Sequence, residues 1–291
     1  SNNIKNIILL KIMKILITGT NGQVGHALVG VLGKYEVISV NRQQCDLINL
    51  DQIEYMIDSY QPDLIINPAA YTNVDSAEDE AELAFRINAD APKLMAKKAR
   101  EYNIPFIHFS TDFVFDGKKK GSYSEGDFTN PLGVYGASKL AGEEFIQEVG
   151  GQAYIFRTSW VYSKIGSNFY STMMRLSQEK NEIKVVSDQI GVPTSSVFIA
   201  AQIQKIIPKL NQAQPGIFHL VPNGNCSWYE FAKEIIVKTN PVFDINKIYP
   251  IKAEQYPSKA KRPLNSILEN IRIKKAFMLE FEDWQSELKK I

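Results

Sequence analysis

The run Lys14-Ile15-Leu16-Ile17-Thr18-Gly19-Thr20-Asn21-Gly22-Gln23-Val24-Gly25 decides how this chain is read. Four apolar or β-prone residues lead into three glycines spaced three apart, and an apolar helical pattern through Ala27, Leu28 and Val31 follows. A strand that breaks on glycine and reopens as a helix is the context in which such glycines carry meaning. One glycine permits the tight turn, one lets backbone approach a pyrophosphate, and the last lets helix and strand pack closely. The helix start then offers amides and a positive dipole end to phosphate. The competing reading is a turn that merely needs glycine. The spacing is GxxGxxG rather than the commoner GxGxxG.

Outward from this stretch, strand and helix patterns alternate. Residues 36–40 read as a second strand, 50–60 as a helix and 63–67 as a third strand. A long amphipathic stretch covers 77–102, then a fourth strand 105–109, a helix 133–149 and a fifth strand 153–157. This alternation predicts a Rossmann-like α/β fold, a doubly wound parallel sheet covered on both faces. After Trp160 the pattern loosens: helices over 167–179, 197–210 and 227–239, short strands at 185–186 and 216–221, and a proline-bearing, loop-rich tail from Pro241. The division expected is a dinucleotide-binding domain over 13–160 and a smaller α+β substrate-binding domain over 161–291. Residues 195–221 are a candidate to return to the main sheet. Residues 1–12 read as an extension or scar and are left out of the fold.

The length of 291 residues and a 44% apolar content allow a sizeable core. Thirty-three basic and 32 acidic side chains leave a net charge of +1, which gives no footprint for nucleic acid or an anionic membrane. Cys45 and Cys226 stand far apart, and His26, His108 and His219 are isolated, so no metal spacing appears and a reducing, cytoplasmic setting fits.

Tyr135 and Lys139 stand one helical turn apart in YGASK. A free phenol has a pKa of about 10. A neighbouring ammonium lowers it, so the pair suits proton donation to a carbonyl oxygen. Alone, YxxxK is weak; it gains force from following the fourth strand of a sheet whose first strand ends in the glycine loop. Thr111, at the carboxyl end of that fourth strand, faces the crevice where open α/β sheets bind ligands. It either donates to the same carbonyl or merely closes a turn, with Ser110 as its competitor. The second strand ends in Val40-Asn41-Arg42. An arginine without a carboxylate favours NADPH or dual use, although Arg42 also reads as an ordinary solvated side chain.

Taken in order, GTNGQVG at 19–25, Asp46-Leu47, NPAAYTNVD at 67–75, STDFVFDG at 110–117, NPLGVYGASKLAGE at 130–143, FRTSWVY at 156–162, NFYSTMMRL at 168–176, DQIGVPTS at 188–195, GIFHL at 216–220 and RPLNS at 262–266 resemble the extended short-chain dehydrogenase/reductases. Within them the chain is similar to the reductases of nucleotide-linked 4-keto sugars. The resemblance implies an enzyme that reduces a dTDP-linked 4-keto sugar with NADPH or NADH. It implies Thr111, Tyr135 and Lys139 as catalytic residues. It implies Gly19, Gly22, Gln23, Val24, Gly25, Asn41, Arg42, Asp46, Leu47, Ala70, Tyr71 and Thr72 around the cofactor, together with Tyr135 and Lys139. Towards substrate it implies Thr111, Asp112, Tyr135, Trp160, Asn168 and Arg262. Trp160 taken alone reads as core, Asn168 rather as a helix cap, and Arg262 equally as a surface residue. Asn41 replaces an acidic residue of some members. Some members also use magnesium at a dimer contact; no carboxylate cluster marks it here, and monomer and homodimer stay open. Dehydratases of the family place Asp-Glu after the threonine, whereas Thr111-Asp112 is followed by Phe113. Epimerases and dinucleotide-binding regulatory subunits, such as the methionine adenosyltransferase β type, remain the alternatives.

Overall fold

In a computed structural model, which describes residues 11–291, the opening run forms β1 (Lys14–Ile17). Of the expected extension, residues 1–10 lie outside the described residues. The chain crosses through α1 (Gln23–Val31) to β2 (Glu36–Ser39), then through α2 (Leu50–Tyr60) to β3 (Leu64–Asn67). Three helical pieces follow, α3 (Val74–Ala77), α4 (Ala81–Phe85) and α5 (Ala91–Glu101), before β4 (Phe106–Thr111). The helix α6 (Val134–Val149) leads to β5 (Ala153–Thr158). These five strands are all parallel, and a sixth from later in the chain completes the sheet at its edge beside β5.

The period of two in β1 explains why both faces are covered. Ile15 and Ile17 point to one apolar cluster with Leu64, Ile66 and Ile107, whereas Leu16 points to the opposite cluster with Ile65, Ile53 and Met95. Every residue of β3, β4 and β5 is buried. The Ser110 and Thr158 hydroxyls have no hydrogen-bond partner among the described residues, but the other polar side chains of these strands find one. Arg157 of β5 does so with a two-point bond to Glu143 of α6, at 2.9 and 2.6 Å.

Beyond β5 come β6 (Val161–Tyr162), α7 (Phe169–Glu179), β7 (Ile183–Val186), β8 (Ile190–Gly191), β9 (Thr194–Ser195) and α8 (Ser196–Ile206). Then β10 (Gly216–His219) joins β5 as the sixth strand of the main sheet, and α8 packs against α1. Next are β11 (Cys226–Ser227), α9 (Trp228–Thr239), β12 (Ile248–Ile251), α10 (Ile271–Phe277) and α11 (Trp284–Lys289). A separate apolar cluster gathers Tyr162, Tyr170, Met173, Ile183, Phe231, Ile235 and Trp284. Ser227 caps α9 in a reciprocal box with Glu230.

Four local expectations change. The stretch 77–102 is not one helix: a π-turn at Arg86–Asp90 separates α4 from α5. Pro92 has no N–H to give the Asn88 carbonyl, so the regular ladder fails there. The fourth strand runs on to Thr111. The fifth ends at Thr158, one residue past the expected 157, and Trp160 sits at φ 46° in the bend before β6. The tail carries β12 and two short helices, too short for a helical period to stand out in sequence.

Candidate active site

At the carboxyl ends of the strands lies a cleft of about 1150 Å³ that runs from the glycine loop to α9. The loop is built by contact. Gly22 N–H donates to the Gly19 carbonyl at 2.9 Å, and a Cβ on Gly25 would stand 2.3 Å from that same oxygen. Only glycine lets α1 start this close to β1, and its first turn faces the cleft. These features fit a dinucleotide pyrophosphate.

Around the loop the cleft is lined by Gly19, Gly22, Gln23, Val24, Gly25, Arg42, Asp46, Leu47, Ala70, Tyr71 and Thr72. Asn41 departs from the expected set. Its side chain accepts from the amides of Gln43 and Gln44 at 2.9 and 3.2 Å, closing a local turn, and it does not line the cleft. Arg42 does line it and reaches Asp46 at 3.3 Å, both side chains being exposed. Asn88 in the π-turn fastens the 70–72 stretch: it accepts from Tyr71 N at 2.8 Å and donates to Tyr71 O at 3.0 Å.

Tyr135 and Lys139 both face this cleft from α6. Gly136 explains how the helix gets there. A Cβ at 136 would lie 2.2 Å from the Phe113 carbonyl, so glycine is required for α6 to press on the turn after β4. Glu78 anchors the helix start by accepting from Val134 N at 2.9 Å. Phe113 meets the Tyr135 ring edge-on at 5.4 Å. Thr111 Oγ1 donates to Asp112 Oδ1 at 3.1 Å and accepts from Phe113 N at 3.2 Å.

Burial sets the charges here. It pushes the Tyr135 phenol up to about 12, partly opposed by the Thr111 hydroxyl. It pulls Lys139 down to about 8, opposed by Glu143. It raises Asp112 to about 6. The Lys139 Nζ donates to the Phe109 carbonyl at 2.6 Å and lies 3.3 Å from His108 Nε2. Among the described residues its hydrogen bonds do not include the Tyr135 hydroxyl.

The far end of the cleft is aromatic. Trp160 stacks on Trp228 with ring centroids 3.6 Å apart and planes 9° from parallel, and Phe169 packs beside Trp228 at 4.4 Å. Asn168 lines the cleft and also caps α7, accepting from Ser171 N at 3.2 Å. Arg262 lines it too, held by Asp75. Trp228, Asp75, Ser159 and Phe169 join the lining without having been expected there. Trp228 is the first residue of a capped helix, and nothing local distinguishes it from a core tryptophan.

The family model described as "RmlD substrate binding domain" matches residues 13–291. A dTDP-4-dehydrorhamnose reductase of Aggregatibacter actinomycetemcomitans is 39% identical over 96% of this chain and 98% of its own. That of Escherichia coli K12 is 38% identical over 96% and 97%. Among solved structures, a dTDP-4-dehydrorhamnose reductase of Bacillus anthracis in complex with NADP superposes with a TM-score of 0.90. It is 36% identical and covers 96% of this chain and 98% of that one. The Clostridium acetobutylicum structure gives 0.89 at 39% identity, with the same coverage of both chains. The chain belongs to the RmlD substrate binding domain family, the family of the dTDP-4-dehydrorhamnose reductases.

Proposed function

We propose that this protein reduces the C4 carbonyl of dTDP-4-dehydro-β-L-rhamnose to give dTDP-L-rhamnose, with NADPH or NADH, in the cytoplasm. The observation that carries the reading is the meeting of Tyr135 and Lys139, one turn apart on α6, in a cleft continuous with the glycine loop. A reduced nicotinamide, when bound in the cleft, would supply the hydride for C4. Tyr135 gives its proton to the oxygen at C4 as negative charge gathers there. A phenol held near 12 stays protonated at neutral pH and so is loaded as a donor. Thr111 orients the same oxygen and donates to it. Lys139 holds the ribose hydroxyls and, as an ammonium, favours the phenolate that Tyr135 leaves behind.

The remaining roles follow position along the cleft. Gly22, Gln23 and Val24 cradle phosphates, and Asp46 and Leu47 lie on the adenine side. Trp160 stacks on the sugar, Asp112 and Asn168 bond its hydroxyls, and Arg262 pairs with the diphosphate. Residues 13–160 make up the dinucleotide-binding part together with the returning strand β10, and most of 161–291 holds the sugar nucleotide. The test is direct: protein, dTDP-4-dehydrorhamnose and NADPH or NADH are mixed, and absorbance of the reduced cofactor is followed. Oxidation that depends on the sugar supports the reading; none with either cofactor overturns it in favour of a dinucleotide-binding module.

A further inference from the structure

Behind Lys139, away from the cleft, lies a chain of buried polar groups that the chemistry above leaves unused. Lys139 Nζ is 3.3 Å from His108 Nε2, and the other ring nitrogen, Nδ1, is 3.2 Å from Asn67 Nδ2. Thr18 Oγ1 in turn donates to Asn67 Oδ1 at 2.5 Å. Thr18 follows β1, Asn67 ends β3 and His108 is in β4, and none of the three is more than 1% exposed. Phe106 stacks on the imidazole with centroids 6.0 Å apart. Polar groups in the middle of a parallel sheet are costly unless each is partnered, and here each is.

We propose that His108 is a positioning residue for Lys139: its Nε2 lone pair holds the lysine ammonium, while Asn67 and Thr18 hold the ring. The proposal rests on the role given to Lys139 above. Counting donors shows what it entails. An ammonium offers donors only, so Nε2 must be bare, the ring proton sits on Nδ1, and the Asn67 amide turns its oxygen to it. A neutral amine keeps N–H donors and adds a lone pair, so it also permits the reverse order. Nε2–H then faces the amine lone pair, Asn67 donates through Nδ2, and Thr18 donates to Asn67 Oδ1. A charged Lys139 therefore requires the Nδ1–H tautomer of His108, while burial and that charge keep the ring itself neutral.

The surroundings leave this link little competition. From α6, Glu143 favours the Lys139 charge, but it is already paired with Arg157 of β5 at 2.6 Å. From β3 the neighbour is the uncharged Asn67. α5 contributes Ala91, Met95 and Ala96 to the apolar cluster on this face, and its Lys98 is paired with Asp58 and Glu101 at 2.7 and 3.1 Å. Asp112 and Tyr135 stand at the cleft end. For Nζ the two partners are the Phe109 carbonyl and His108.

Two substitutions separate positioning from packing. His108→Gln places an oxygen near Nε2 and keeps an acceptor for Lys139; His108→Asn places one near Nδ1 and loses it. In turnover measured from pH 6 to 10, His108→Asn should move the alkaline limb of kcat down by about one pH unit, since an ammonium that loses its acceptor deprotonates sooner. Its KM should hardly move, and His108→Gln should keep the wild-type limb. Equal shifts in both variants, or none in either, would overturn the proposal. A second measurement needs neither turnover nor variants. In apo protein labelled with 15N-histidine, His108 should be the Nδ1–H tautomer at pH values below the Lys139 titration. The Nε2–H tautomer there would overturn the proposal by itself. A wild-type protein without turnover would defeat the proposed function and leave the tautomer to decide this inference.

Discussion

Arg262 and Asp75 are joined at two points across the mouth of the cleft, Nη2 to Oδ2 at 2.9 Å and Nη1 to Oδ1 at 3.2 Å. Asp75 belongs to α3 and also accepts from Ala260 N at 2.9 Å, so it ties the C-terminal segment to the helix after β3. The guanidinium holds Asp75 below the usual carboxylate range. A carboxylate and a phosphate present similar oxygen pairs to arginine. Asp75 therefore occupies the same fork of Arg262 that a diphosphate would take.

Replacing Arg262 by Ala should raise the KM for the nucleotide sugar about tenfold and leave kcat within about a factor of two, because the lost contact is remote from C4. The pair is partly exposed, so the loss of stability should stay below about 1 kcal/mol. Steady-state kinetics and a thermal melt check both. An unchanged KM would take Arg262 out of the substrate contacts.

Trp228→Ala removes the ring that Trp160 stacks on. Such a contact contributes about 0.5–1.5 kcal/mol beyond area, so the KM for the sugar should rise roughly three- to tenfold. Near-UV circular dichroism should lose the signal of a coupled indole pair, while cofactor affinity stays put. If the sugar KM did not respond, Trp160 would not depend on its neighbour.

Tyr135→Phe keeps the ring and its edge contact with Phe113 and removes the proton. Turnover should fall by about 10²–10⁴, the usual worth of a general acid. Cofactor affinity, followed by fluorescence of the reduced ring, should stay within about twofold. A variant that kept most of its rate would strip Tyr135 of the donor role.

Asp112 links chemistry to stability. Burial raises its folded pKa from 3.8 to about 6. Below the unfolded value both states bind the proton, and no penalty applies. As pH rises from about 4 to about 6, the unfolded carboxyl ionises first and folding loses stability, by on the order of 2–3 kcal/mol once above 6. Asp112→Asn should therefore melt higher than wild type at pH 8 and together with it at pH 4, while kcat/KM falls. Parallel melting curves across that range would show that Asp112 ionises normally.

The glycine loop and the alternation around it were legible because they are local. A strand of four residues, a turn that excludes Cβ atoms and a helix behind it are all dictated by neighbours in sequence. The same holds for Tyr135 and Lys139, whose common face follows from helical spacing. The breaks were less legible. Pro92 was in view within the 77–102 stretch, yet the π-turn ahead of it appears only where Asn88 also holds the Tyr71 backbone from across the fold.

By itself, the sequence determined the parallel sheet, its glycine turn and the identity of the paired phenol and amine, since each rests on spacings of a few residues. Tertiary structure alone decided that Trp228 faces Trp160, that Asp75 holds Arg262, that Asn41 turns inward on its own loop, and that His108 stands behind Lys139. Residues 75 and 262 lie 187 apart in the chain, and 160 and 228 lie 68 apart. Such pairs form only when the sheet and its crossings bring distant segments together, and no periodicity along the chain records that meeting.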